Sequence, residues 1–308
     1  MNSPLVTILL PVYNGEKTIK ATLESLLNQT FTDFELLIGI DGTTDASKAL
    51  ALSFNDSRIK IIEHPKNLGL ANNLNKIIKH ASPNSHYFAM AEQDDIYVPE
   101  RLEWQIDVMQ KYEEVGLVSG IAEFENENGN ILFPGILVNK KQYPEGEDMF
   151  RYLYINQMKV LNTCMLWRKS IHTKHNLSFR DTYGNFNVDW NFMLRFSLIS
   201  KIHGIHKKLV SMNRYTERMS VTTEKKKQYA ASKKLIEDFY LEFPLLIDSS
   251  THKKSKHVYR KISLGINSKI NIIIKSIYYF IISGDVYFLN YLKKRMHNYF
   301  KRNPVADA

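Results

Sequence analysis

Glu92-Gln93-Asp94-Asp95 follows an apolar-leaning run, His86–Ala91, and precedes Ile96-Tyr97-Val98-Pro99-Glu100-Arg101-Leu102. Carboxylates at the end of a strand stand at the carboxyl edge of a sheet, where open α/β folds bind ligands. Adjacent aspartates repel, and the usual compensation is a divalent cation with oxygen ligands, often one that also carries substrate phosphates. The competing reading is an exposed acidic turn that caps a helix beginning at Pro99.

The elements that would position these groups alternate along the first third of the chain. Leu5–Leu10 is a continuous apolar run typical of a strand buried on both faces, and Lys17–Gln29 has helical apolar spacing at Ile19, Leu23, Leu26 and Leu27. Phe34–Ile40 repeats the strand pattern, and Ala46–Phe54 reads as a helix capped by Thr44 or Asp45. Ile59–Ile62, Leu70–His80, Tyr87–Ala91 and Pro99–Tyr112 continue as strand, helix, strand and helix, and four such units imply a parallel sheet. Residues 115–160 are less periodic, with turn signals at 127–130 and 143–146, and the chain shows no internal repeat.

The loops after the four strands then face one edge: Pro11–Glu16, Asp41–Asp45, His64–Gly69 and the acidic cluster. A nucleotide needs a flat surface for its base, acceptors for its imide N–H and ribose hydroxyls, and positive charge at its phosphates. Tyr13, Asp41, Glu92 and a bound metal would supply these, which fits a nucleotide diphosphate. Neither a G-x-x-x-x-G-K-[ST] nor a G-x-G-x-x-G segment occurs, which argues against a P-loop ATPase and a dinucleotide oxidoreductase.

The 308 residues, 44% hydrophobic and 12% aromatic, can bury one large core or two smaller ones. Cys164 is the single cysteine, which excludes an intramolecular disulfide and a cysteine-based zinc cage and favours a reducing compartment. The start, Met1-Asn2-Ser3-Pro4, has no basic n-region, so a cytoplasmic location is expected. Of the net charge of +9, the surplus lies at the end: residues 250–308 hold 12 basic and 2 acidic side chains, leaving 29 against 30 before them. That balance disfavours a nucleic-acid groove through the main domain.

The order Val6–Gly15, Leu26–Leu36, Asp41–Asp45 and Asn67–Leu70, followed by the acidic cluster and Pro99-x-Arg101-Leu102-x-x-Gln105, resembles the inverting family 2 glycosyltransferases. The similarity is clear over residues 4–115, weaker over 150–222 and absent beyond. It implies a single A-type nucleotide-sugar-binding domain, α/β with a Rossmann-like, mainly parallel central sheet. Residues 1–115 would be its nucleotide-sugar half, 116–225 its acceptor and catalytic half, and 226–308 a helical basic extension. By position, Pro11, Val12, Tyr13, Glu16, Asp41, Gly42, Lys66, Asn67, Glu92 and Gln93 would bind the nucleotide, with Glu92 standing where the family usually has Asp. Asp94 would bridge Mg²⁺ or Mn²⁺ to the donor diphosphate, and Asp95 would support it or meet the sugar.

Asn185–Phe196 resembles the family segment that carries the catalytic base, although Val188 replaces its Glu. Inversion by single displacement needs a carboxylate within reach of the acceptor hydroxyl, and the resemblance makes Asp189 that base; alternatively Asp189 is a helix N-terminal acid. Trp190 would give a flat face to an acceptor sugar or fill the core. Cys164 reads as a small buried hydrophobe. Met212–Val221 looks like a degraded form of the family's Tyr-Arg-x-His loop, with Thr216 in place of His; Arg214 or Arg218 would clamp the diphosphate or belong to a solvated basic loop.

In the extension, Ile262, Ile266, Ile270, Ile273, Ile277 and Ile281 fall on one helical stripe, and Leu289, Leu292, Met296 and Tyr299 on a second, after Gly284-Asp285. Two basic amphipathic helices of this kind suit peripheral contact with an anionic membrane, or docking on the catalytic domain or on a second subunit to form a homo-oligomer. The expected function is that of a metal-dependent glycosyltransferase of hexosyltransferase type, on the inner face of the cell membrane. It would move sugar from a nucleotide diphosphate donor, with a UDP-sugar favoured, to a glycan hydroxyl, lipid-linked if the tail meets membrane, in bacterial surface polysaccharide synthesis (lipopolysaccharide, O-antigen or capsule). A catalytically inactive nucleotide- or glycan-binding module and a sugar nucleotidyltransferase are the competing readings.

Overall fold

The computed structural model describes residues 4–126, 129–133, 137–138, 141–157, 160–213 and 224–302. It divides into two compact units, Met1–Val221 and Thr222–Ala308.

The first unit is built around a nine-stranded sheet. β1 (Val6–Val12) is central and pairs in parallel with β2 (Phe34–Asp41) and β4 (Tyr87–Met90), while β3 (Ile59–His64) extends the sheet in parallel beyond β2. Every position of β1 and β2 is buried, as a sheet covered on both faces requires. The intervening helices are α1 (Ile19–Leu27), α2 (Ser47–Leu52) and α3 (Leu70–Ile78). Ile19, Leu23 and Leu26 of α1, and Ala71, Leu74 and Ile77 of α3, are the buried apolar positions, so the 3.6-residue spacing describes real core faces.

Beyond β4 the sheet becomes mixed. β6 (Val115–Asn126) and β12 (Lys201–Asn213) run parallel to each other, and the short β10 (Leu166–Arg168) lies antiparallel between β4 and β6. β7 (Gly129–Phe133) adds to β6, and β8 (Leu137–Val138) and β9 (Lys141–Gln142) form a separate pair. The remaining elements are α5 (Gly146–Asn156), α6 (Lys169–Lys174), β11 (Thr182–Asn185) and α7 (Val188–Ser197).

Two expectations need correction. A three-residue strand, β5 (Asp95–Tyr97), paired antiparallel to β12, separates the acidic cluster from α4 (Arg101–Lys111). The helix therefore begins after Pro99, its N-cap Glu100 makes no side-chain cap, and the cluster is not a capping turn. At α2 the N-cap position is Ala46, although Asp45 still accepts the Ser47 N–H at 3.0 Å.

The second unit is helical throughout its described part: α8 (Lys225–Glu242), α9 (Ser249–Ser263), α10 (Lys269–Ser283) and α11 (Tyr287–Arg302). The single isoleucine stripe read from the sequence is divided here. Ile262 lies in the last turn of α9, Ile266 in a 3-10 turn over Leu264–Ile266, and Ser268 caps α10 by accepting the Asn271 N–H. Gly284, at φ 67°, closes α10 in the left-handed conformation that favours glycine.

Candidate active site

Because β1, β2, β3 and β4 are parallel, the loops leaving their carboxyl ends share one edge. Side-chain hydrogen bonds knit them together. The Asn14 N–H donates to Thr43 Oγ1 at 2.9 Å, Gly15 N–H to Ser47 Oγ at 2.7 Å, and Glu16 N–H to Asp45 Oδ2 at 3.0 Å. Glu16 returns a bond, since its Oε2 accepts the Ala46 N–H at 3.1 Å. Burial acts upward on Asp45, but hydrogen bonds from Ser47, Glu16 and Thr43 outweigh it and bring its carboxyl down to about 2. Asp45 thus stays charged and holds the two loops at neutral pH.

Tyr13 is exposed, next to the buried Pro11 and Val12. Gln93 fixes it from the acidic loop: Oε1 accepts the Tyr13 N–H at 2.9 Å and Nε2 donates to the Tyr13 carbonyl at 3.0 Å. A side-chain carbon at Gly15 would stand 2.6 Å from Gln93 Oε1, so the close approach needs glycine there. Gln93 therefore positions the aromatic ring through its backbone.

Asp41 plays the same part for the loop after β3. Its two carboxylate oxygens accept the N–H groups of Leu68 and Gly69, at 2.8 and 3.0 Å. Gly42, at φ 62°, lets the Lys66–Asn67 backbone approach; a Cβ there would meet Asn67 N at 2.4 Å. Lys66 and Asn67 are exposed at this edge.

The carboxylates of Glu92, Asp94 and Asp95 lie within 4.8 Å of one another. Glu92, which the resemblance places among the nucleotide-binding residues, thus sits with the two aspartates. Such all-oxygen, doubly adjacent acids fit Mg²⁺ or Mn²⁺. Asp95 is 1% exposed, and its Oδ2 accepts from Thr163 Oγ1 at 2.7 Å. Thr163 in turn is 2.6 Å from the Tyr97 hydroxyl, which accepts the Glu92 N–H at 2.8 Å. Burial, reinforced by the Asp95 charge, holds the Tyr97 hydroxyl well above its ordinary pKa, so it stays protonated and donates to Thr163. Asn162 Nδ2 donates to Glu92 Oε1 at 2.6 Å. The buried Arg101 braces the site from α4: its guanidinium lies 4.4 Å over the Tyr97 ring and donates to the Met90 carbonyl at 2.6 Å. Gln105 Nε2 donates to the Cys164 carbonyl at 2.6 Å, anchoring the turn before β10 that carries Asn162 and Thr163.

Asp189 occupies the first turn of α7, with Oδ1 accepting the Trp190 N–H at 2.8 Å. Burial raises its carboxyl above the usual aspartate value, a shift that suits a base. The chain enters α7 from the edge that carries the loops after β1–β4, because Asn185 Oδ1 accepts the Leu70 N–H at 3.0 Å. Asn72 and Asn75 of α3 also hold this segment, through Asp181 and the backbone of Phe179. Of the two readings of Trp190 the structure takes the second: at 2% exposure, with Nε1 donating to the Leu153 carbonyl at 3.1 Å, it fills the core and offers no face to a sugar. Cys164 is buried, and burial pushes its thiol up, as expected of an inert hydrophobe. Arg214, Arg218 and Thr216 lie outside the described residues.

Sequence reading missed Tyr97, Asn162, Thr163 and Asn185. The signal available for the middle pair was a polar Asn-Thr step inside the apolar stretch Val160–Trp167.

The chain is 37% identical over 128 residues, 42% of its length, to an Escherichia coli protein, the UDP-Glc:alpha-D-GlcNAc-diphosphoundecaprenol beta-1,3-glucosyltransferase WfgD. It spans about half the length of the curated relatives it matches, 49% in this case. Among solved structures, Staphylococcus aureus TarS 1–349 aligns with a TM-score of 0.57 at 15% identity, covering 95% of this chain and 91% of that one. The mannosyltransferase PcManGT of Pyrobaculum calidifontis, in complex with GDP-Man and Mn²⁺, aligns at 0.59 and 12% identity, covering 96% and 81%. These likenesses are of fold: a mainly parallel sheet flanked by helices, of the A-type glycosyltransferase kind. Residues 7–203 match the model of glycosyl transferase family 2, and the chain belongs to that family.

Proposed function

We propose that the chain transfers the sugar of a UDP-sugar, with inversion, to a hydroxyl of a lipid-linked glycan in bacterial surface polysaccharide synthesis. The observation that carries this reading is the convergence of Glu92, Asp94 and Asp95 on the sheet edge that also bears Tyr13 and the Asp41-clamped loop. The first 115 residues would hold the donor, with the Tyr13 ring against the base and the Asp41 and Lys66–Asn67 loops beside it. Residues 116–225 would hold the acceptor and the base. Glu92, Asp94 and Asp95 would hold Mg²⁺ or Mn²⁺, which when bound neutralises charge on the leaving diphosphate. The acceptor oxygen bonds to the anomeric carbon as the bond to the diphosphate breaks; UDP departs, and the hydroxyl proton passes to Asp189. The choice of UDP and of a lipid-linked acceptor is supported by the activity for which WfgD is named and by the structure of TarS 1–349 in complex with UDP-GlcNAc. Such an acceptor puts the reaction at the cytoplasmic face of a membrane, and no described helix is long and apolar enough to cross one.

The test is a nucleotide-sugar panel read by thermal shift with and without Mn²⁺, on the wild-type chain and on Asp94→Asn. A ligand at a hundred times its dissociation constant adds ~2.7 kcal/mol to stability. A UDP-sugar is expected to shift the wild-type chain only with the metal and Asp94→Asn not at all. Absence of a shift with every donor would overturn the enzyme reading.

A further inference from the structure

The apolar residues of α10 are divided between two faces. Ile272 and Ser276 are buried, and at helical spacing they share a side with Tyr279, whose ring lies 5.3 Å from that of Phe288 in α11. The opposite side is open: Ile270 is 70% exposed, Ile274 58%, Tyr278 55% and Ile281 71%, with Ile273 and Ile277 between them also exposed. At about 100° per residue these six fall within one arc, and Lys269 and Lys275 fall outside it. A contiguous apolar surface of this kind on a water-facing helix marks a binding surface.

Charge identifies the occupant. The segment 250–308 carries 12 basic and 2 acidic residues. Of the two acids, Asp285 is already neutralised within the unit, by Lys261 Nζ at 2.5 Å and His257 Nε2 at 2.8 Å. Lys253, Lys254, Lys293, Lys294 and Arg295 remain exposed. A second copy of the chain would bring the same surplus of positive charge against it. An anionic lipid surface supplies both an apolar phase for the isoleucines and negative charge for the lysines, and tyrosine favours its interface. The fifteen residues of α10 are too few to span a bilayer, so the helix would lie along it.

We propose that the outward face of α10, Ile270, Ile273, Ile274, Ile277, Tyr278 and Ile281, docks in plane on an anionic lipid bilayer. As a device for meeting a lipid-linked acceptor, this rests on the function proposed above; vesicle binding itself needs neither donor nor acceptor.

The experiment is co-sedimentation of the full chain with phosphatidylcholine vesicles, with and without phosphatidylglycerol, at low and high salt. The variants are Ile274→Glu/Ile281→Glu and Lys293→Glu/Lys294→Glu, each checked for an unchanged melting temperature. The wild-type chain is expected to pellet with the anionic vesicles, less so at high salt, and each variant to lose roughly tenfold or more in partitioning. If the wild-type chain stays in the supernatant, or the folded isoleucine variant pellets equally well, the proposal is overturned. It is also overturned if the face instead forms a dimer that Ile274→Glu/Ile281→Glu splits. Donor turnover on a detergent-dispersed acceptor separates the two readings: the isoleucine variant should retain it, and its loss from the wild-type chain would defeat the proposed function while leaving vesicle binding to stand.

Discussion

Thr163 Oγ1 donates to Asp95 Oδ2 at 2.7 Å, joining residues 68 positions apart in the chain. The Tyr97 hydroxyl donates to Thr163 and accepts from the Glu92 backbone, so one directional chain of hydrogen bonds runs from the first carboxylate residue of the cluster to the last. Repulsion within the cluster would otherwise spread these acids. The network holds Asp95 in one orientation.

Thr163→Val removes the hydroxyl and leaves buried polar groups of Asp95 and Tyr97 short of a partner, at a cost of about 1–3 kcal/mol in stability. Outer-shell partners of this kind typically govern metal affinity by roughly 10–100-fold. Mn²⁺ titration in the presence of UDP should therefore show weaker binding in Thr163→Val and near-normal binding in Thr163→Ser. Unchanged Mn²⁺ affinity in the valine variant would mean that Thr163 serves packing alone.

Gly42→Ala tests how the base-side loops are held. The position has φ 62°, which costs an L-residue roughly 1–2 kcal/mol, and the added carbon would stand 2.4 Å from backbone at Asn67. The clash must displace the Lys66–Gly69 loop from Asp41, so loss of donor affinity should exceed what the drop in melting temperature alone explains. Calorimetric titration with UDP checks this; wild-type affinity in a destabilised variant would disconnect the loop from the nucleotide.

Much of this arrangement was legible before the structure, because it rests on local patterns. The continuous apolar runs of β1 and β2 and the helical spacing of Ile19, Leu23 and Leu26 are properties of single segments. The acidic cluster was visible for the same reason. What escaped is non-local: β5 exists because it pairs with β12 across more than a hundred residues, and Asn162 and Thr163 reach the cluster only once β10 is inserted between β4 and β6. The core role of Trp190 was among its two readings, but its partner, the Leu153 carbonyl of α5, was not legible because it lies 37 residues away. The isoleucine stripe had the right period but the wrong continuity, broken by the Ser268 cap.

Asp189 should set the acidic limb of the rate profile. A base works deprotonated, so kcat falls as pH drops through its pKa, and burial places that limb above the range of an ordinary aspartate. Asp189→Asn should abolish transfer and leave donor affinity nearly unchanged, because the role proposed for the residue is on the acceptor. A pH–kcat profile of the wild-type chain, paired with UDP titration of the variant, reads both; full transfer by Asp189→Asn would remove this residue from the mechanism.

His172 should make the fold acid-sensitive independently of the site. It is buried among Phe88, Trp167 and Phe192, and its Nδ1 accepts the Trp167 Nε1–H at 3.4 Å, which keeps the ring neutral with its proton on Nε2. Burial lowers its pKa from 6.5 to about 4. Between those values the unfolded chain binds the extra proton and the folded chain does not, so stability rises with pH across the window and declines as pH falls from 6.5 toward 4. The full effect is on the order of 3 kcal/mol, reached below the folded pKa. His172→Gln keeps an acceptor for Trp167 but cannot titrate, so its denaturant midpoint should vary less than that of the wild-type chain from pH 7 down to about 4. Parallel pH profiles for the two proteins would show that other groups carry the acid sensitivity.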